Sequence, residues 1–188
     1  MLAVPVATIV AISGCGGGER QDAHEKSGTY TVAVDAKFPT RQHIAESQVF
    51  SLAVHNTDTR AVPNVAVTVQ GFSSSEQNTS LADPERPVWV VDKDPKGGTT
   101  AYVNTWALGR IGAGQTKRFT WKVTPLRAGS HVVKYRVAAG LNGKAKAQLE
   151  GGSAPQGSFH VAISRKPVPA TVDPDTGKVI RGSDVAGQ

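Results

Sequence analysis

The 188-residue chain has one cysteine and one methionine, and only 6% of its residues are aromatic. A single thiol excludes an internal disulfide framework and a Cys-rich metal site. It also excludes a blue-copper centre, which needs a thiolate in the core of its domain, because Cys15 stands just after the N-terminal apolar stretch. That stretch, residues 2–12, covers about eleven residues, against the roughly 20 that cross a bilayer as a helix. No Lys or Arg precedes Arg20. The basic segment that normally opens an export signal is therefore lacking, and we expect the natural start to lie upstream of Met1. Catalytic signatures are lacking too: there is no G-x-S-x-G elbow, P-loop or H-E-x-x-H motif. No spacing pairs Glu46, Glu76, Glu85 or Glu150 as acid and base. The expectation is a protein that is not an enzyme and takes no cofactor.

What is present favours strands. Hydrophobic residues make up 39% of the chain, enough to build a core. Most are Val and Ala, and Val is stiff at χ1 and suits a pleated surface. Twenty Gly and eleven Pro supply turns. The net charge is +6, but the basic residues are scattered, as in "KRFTWK" and "KYR", where they alternate with apolar ones. Alternation marks the solvent faces of strands rather than a nucleic-acid footprint, so no nucleic-acid partner is expected. Weak attraction to an anionic membrane or wall polymer fits the charge better.

Period-2 patterning recurs along the chain. It places Tyr30, Val32 and Val34 on one face, then Phe50, Leu52 and Val54 with Ser51 and His55 opposite. Val65, Val67 and Val69 read inward, with Asn64, Thr68 and Gln70 outward. Phe119, Trp121 and Val123 alternate with Arg118, Thr120 and Lys122; Val133, Tyr135 and Val137 alternate with Lys134 and Arg136. Phe159, Val161 and Ile163 complete the series. "VWVV" is apolar on both faces, and "TAYVNTWAL" reads as one strand with Tyr102, Trp106 and Leu108 inward. "NTDTR" and "GAGQT" are compact turns, and Asn142-Gly143 predicts a type I′ hairpin. With no helical pattern beyond residue 14, the chain reads as all-β, an immunoglobulin-like β-sandwich of about 7–9 strands. The organisation expected is a signal peptide over 1–14, a lipidated Cys and glycine-rich tether over 15–28, the sandwich over 29–164, and a Pro-containing tail over 165–188. A small hairpin is expected around "DPDTG" in that tail.

Two resemblances follow from these residues. Ile12-Ser13-Gly14-Cys15 resembles the bacterial lipobox, an aliphatic residue and two small residues before Cys. The resemblance implies a diacylglyceryl group on the Cys15 thiol, cleavage just before it, and an exported protein lipid-anchored on the extracytoplasmic face of the membrane. The stretches "FSLAVHNTDTRAVPNVAVTV" and "LGRIGAGQTKRFTWKVTPLRAGSHVVKYRVAAGL" are similar to bacterial Ig-like, cell-adhesion-related (CARDB-like) modules. The matching elements are Asn56-Thr57, Asn64-Val65, Leu108 through Thr116, and Gly129 through Val133. The chain is also similar to actinobacterial surface lipoproteins. The family implies a passive envelope module, in some members adhesive, with an envelope protein or glycan as partner and no catalytic residues to carry over.

Candidate ligand residues are few. His24, His43, His55, His131 and His160 show no metal-ligand spacing within a strand, so no metal site is expected. The run Asp92-Lys93-Asp94-Pro95-Lys96-Gly97 opens like a calcium loop, but Lys96 and Val103 break the ligand pattern, and it reads as a turn. The polar stretch over 71–87 is long enough to be functional. With Trp89 and Tyr102 after it, it forms the main alternative: a carbohydrate-binding module in which those two rings make a glycan platform. Burial of the rings in the core is the competing assignment. A secreted enzyme without a recognisable motif is the third reading.

Overall fold

The computed structural model describes residues 25–74, 87–166 and 169–181. The expected signal segment, Cys15, His24, most of the expected tether and most of the stretch over 71–87 lie outside them. Every described element is a strand. In chain order these are β1 (Gly28–Lys37), β2 (Arg41–His43), β3 (Gln48–Asn56), β4 (Ala66–Gln70), β5 (Phe72–Ser74), β6 (Trp89–Lys93) and β7 (Thr99–Tyr102). They continue with β8 (Thr105–Ala107), β9 (Thr116–Pro125), β10 (Gly129–Ala138), β11 (Ala145–Gln148), β12 (Gln156–Ser164), β13 (Ala170–Val172) and β14 (Val179–Arg181).

Twelve of them form two six-stranded sheets, ordered β11-β1-β3-β9-β6-β5 and β2-β12-β10-β4-β8-β7. The long central strands are those that alternation marks. In β9, Phe119, Trp121 and Val123 are buried between exposed Arg118, Thr120 and Lys122. The additional strands are three- or four-residue edges: β11 and β5 on one sheet, β2 and β7 on the other. Short edges offer little template for unwanted strand addition. Three of them, β11, β5 and β2, attach in parallel, each to a strand distant in sequence or across a connecting loop.

The inner faces meet through aromatic rings. Phe50 on β3 stands 6.1 Å from both Tyr135 on β10 and Phe159 on β12. Trp121 on β9 meets Trp106 on β8 edge-on at 5.5 Å. Phe38 lies against Phe50, Phe72 and Trp89, each at 5.7 Å. Edge-to-face pairs of this kind add to the burial of ring area and fix side-chain orientation. The fold is an all-β sandwich of immunoglobulin-like architecture, with its core between the two sheets.

Two local expectations change. "TAYVNTWAL" is a hairpin, β7 and β8, that turns at Val103-Asn104, where Asn104 has φ 58°. Asn is one of the few non-glycine residues at ease there. The turn leaves Tyr102 51% exposed while Trp106 and Leu108 stay buried. Asn142-Gly143, by contrast, does not close a hairpin. β10 pairs with β4 and β12, whereas β11 crosses to the other sheet and pairs in parallel with β1. The turn is closed by the Asn142 side chain, which accepts the Lys144 N–H at 2.9 Å, and by the Glu25 carboxylate. Glu25 accepts the Leu141 N–H at 2.8 and 2.9 Å and the Asn142 N–H at 3.3 Å. The short hairpin in the tail forms as expected: β13 pairs with β14, and Asp173 Oδ1 accepts the N–H groups of Asp175 and Thr176.

Candidate functional site

Most buried polar chemistry in the sandwich is spent on holding it together. Asn56 ends β3 fully buried. Its Nδ2 donates to the carbonyls of Arg60, Ile111 and Gly112 at 2.8, 3.1 and 3.0 Å, and its Oδ1 accepts the Asp58 N–H. One amide thus ties the 56–60 turn to the loop between β8 and β9. Gln42 is 1% exposed and bridges Pro39 O and Trp89 Nε1. Asp94 accepts Trp106 Nε1 at 2.7 Å, and Asp92 accepts the hydroxyls of Thr124 and Ser47. The aspartates of the would-be calcium loop therefore serve as acceptors within the fold. Asp58 is gripped by the Arg60 guanidinium, its backbone N–H and that of Thr31. The Arg60 hydrogen bonds hold its carboxyl far below the ordinary 3.8. The Arg60 guanidinium also lies 4.7 Å from the centre of the Tyr30 ring.

The histidines are dispersed. His43 Nδ1 meets Lys166 O, His55 Nδ1 meets Thr116 Oγ1, and His131 Nε2 meets Ala128 O. Among the described residues no group of three or more His, Cys, Asp or Glu converges on a point. Of the two candidate glycan-platform rings, only Tyr102 reaches solvent. Trp89 is fully buried, with its indole against Phe38 and Phe72 and its N–H donated to Gln42. A ring closed in this way presents no face to a sugar, so the Trp89–Tyr102 platform is not formed. Its position explains this: β6 lies inside the first sheet, between β9 and β5.

A set of unbonded polar side chains lines a groove on the outer face of the second sheet. β4, β10 and β12 are neighbours there, and their outward residues line an open groove of about 730 Å³. Register sets two rows across it. Lys134 pairs with Gln70 on one side and Ser158 on the other; Arg136 pairs with Thr68 and Gln156. Tyr135 and Gly157 complete the lining. Lys134 and Arg136 are two residues apart on one strand, so both point out of the same face, about 7 Å from each other. Their inward neighbours Val133 and Val137 are buried in the core, which fixes the orientation of the strand. Thr68 Oγ1 contacts Thr105 Oγ1 at 2.9 Å. Among the described residues, Gln70, Lys134, Arg136, Gln156 and Ser158 have no side-chain hydrogen bond or ion pair. The groove is thus a rigid floor with two cations, two amides and two hydroxyls, and no acidic residue in its lining.

Sequence reasoning did not single out this site. Alternation places Thr68, Gln70, Lys134 and Arg136 outward, but their convergence depends on strand order. β4 lies some 60 residues before β10, and nothing local says that they pair.

The sequence matches no family model and no curated protein. Among solved structures, the chain is similar to the CARDB domain of the PF1109 protein from Pyrococcus furiosus, whose crystal structure is a complex with di-metal ions. The identity is 14%, the TM-score 0.47, and the match covers 73% of this chain and 96% of that one. The solution NMR structure of the same domain gives 14% identity and a TM-score of 0.47, over 72% and 95% of the two chains.

Proposed function

We propose that this chain is an exported lipoprotein, held at the outer face of a membrane by a lipid on Cys15, whose sandwich is a non-catalytic interaction module. One observation carries the interaction role: the outer face of β4, β10 and β12 presents a groove in which, among the described residues, Gln70, Lys134, Arg136, Gln156 and Ser158 make no side-chain bond within the fold. Elsewhere the fold ties up its buried polar groups, as at Asn56 and Gln42. Unspent hydrogen-bonding capacity on a rigid sheet is what a recognition surface needs, because the backbone is already fixed and only the side chains remain to be ordered at binding. The anchor reading rests on the lipobox-like run Ile12-Ser13-Gly14-Cys15 and the polar, glycine-rich stretch after it. That stretch would lift the sandwich clear of the headgroups.

The experiment is metabolic labelling with a lipid probe in a bacterial host, comparing the native chain with Cys15→Ala. Label on the native chain alone is the expected result. Equal labelling of both forms contradicts the anchor.

A further inference from the structure

We infer that the groove across β4, β10 and β12 binds an anionic polysaccharide, with Lys134 and Arg136 as its charge contacts. The inference rests on the reading of the sandwich as an interaction module and names its ligand class. Two cations stand side by side on one strand face, with no acidic group in the lining to balance them. Like charges this close repel, whereas Arg60 has Asp58 beside it and Lys37 has Asp35 on its own strand. A polyanion relieves the repulsion by placing one negative group on each cation.

The remaining lining selects among polyanions. Gln70, Gln156, Ser158 and Thr68 offer amides and hydroxyls on both sides of the cation pair. These are the donors and acceptors that sugar hydroxyls require. A single-stranded nucleic acid would need exposed rings for its bases, but the one ring in the lining, Tyr135, packs against Phe50 and Phe159. A bilayer surface would need apolar side chains to insert, and none of the six groove side chains is apolar. The volume of about 730 Å³ falls in the range of ligand sites, and the groove is open, so a chain can run through it.

The test uses the full chain carrying Cys15→Ala, so that no acyl group contributes. Binding is measured by calorimetry to polygalacturonate, which carries carboxylates, to a phosphomannan, which carries phosphates, and to neutral dextran. The expected result is binding to one or both anionic polymers, none to dextran, and weakening with added salt. Each of Lys134→Gln and Arg136→Gln should weaken binding about tenfold, the scale of one charge-assisted hydrogen bond. The pair Arg118→Gln and Lys122→Gln removes the same charge from the outer face of the other sheet and should leave binding unchanged. Circular dichroism of each variant verifies that the fold is kept.

Failure of both anionic polymers to bind overturns the inference. So does a loss in the Arg118→Gln, Lys122→Gln pair equal to that of Lys134→Gln and Arg136→Gln combined in one chain, which would reduce the effect to net charge. Preference for phosphatidylglycerol vesicles over both polymers assigns the groove to a membrane and also overturns it. Retention of the Cys15→Ala chain on isolated envelopes separates this inference from the reading of the sandwich as an interaction module. Retention unaffected by adding Lys134→Gln and Arg136→Gln sinks the groove alone, and no retention of the Cys15→Ala chain sinks both.

Discussion

Replacing Asn56 by Ala tests the idea that one buried amide joins the two loops at this end of the sandwich. The substitution removes two amide N–H groups shared among Arg60 O, Ile111 O and Gly112 O, and an oxygen that accepts from Asp58 N. At about 0.5–1.5 kcal/mol for each of three bonds, their loss amounts to roughly 1.5–4.5 kcal/mol. The top of that range does not apply, because few of the partners are orphaned. Ile111 O keeps the Val62 N–H, Gly112 O keeps that of Gln115, and Asp58 N still reaches Thr31 O. The expected cost is about 2–4 kcal/mol, a large share of the roughly 5–15 kcal/mol typical of a domain. In heat it corresponds to a fall in Tm of about 5–15 °C. Urea denaturation followed by tryptophan fluorescence reads it directly, since Trp89, Trp106 and Trp121 are all buried. Asn56→Asp should cost more than Asn56→Ala at neutral pH. It turns a donor into a charged acceptor facing three carbonyl oxygens now at 2.8–3.1 Å. A loss below about 1 kcal/mol for Ala, the scale of an ordinary surface change, or Asp tolerated as well as Ala, would refute the staple.

Three further outcomes follow from particular contacts. Trp89→Phe should destabilise more than Trp121→Phe by about 1–2 kcal/mol in the same urea assay, because it orphans a buried acceptor on Gln42, whereas Trp121 Nε1 has no partner to lose. Gly140→Ala drives a methyl into the Glu25 carboxylate; hydrogen exchange at the Leu141 amide should quicken as much as in Glu25→Ala, with no further change in the double variant. The depressed Asp58 carboxyl contributes stability that is complete above its ordinary 3.8 and fades as pH falls below it. Asp58→Asn should flatten the acid limb of a stability–pH profile, by less than about 1 kcal/mol because the Arg60 partner is 57% exposed.

The core was legible because it depends on side-chain period. Phe50, Leu52, Val54, Phe119, Trp121, Val123, Val133 and Val137 alternate with polar residues in β3, β9 and β10, and all are buried. Structure set by distant partners was not legible. Asn142-Gly143 carries hairpin chemistry, yet the strand after it pairs with β1, more than a hundred residues earlier, and Glu25 closes the turn. The single strand expected over "TAYVNTWAL" breaks at Asn104, whose positive φ an isolated Val-Asn-Thr does not announce. Trp89 as a ligand platform failed for the same reason: its exposure depends on β5 and β9 flanking β6. The groove is the clearest instance. Its six side chains come from three strands, and only the order β12-β10-β4 brings them together.

The central claim is that this sheet face is the working surface of the molecule at the envelope. A photocrosslinking residue placed at Gln156, inside the groove, is compared with one at Thr120, exposed on the outer face of the other sheet. Irradiation of intact cells displaying the full chain should yield polysaccharide adducts from position 156 and none from position 120. Adducts of equal yield from both positions, or none from 156 on displayed protein, would contradict the account.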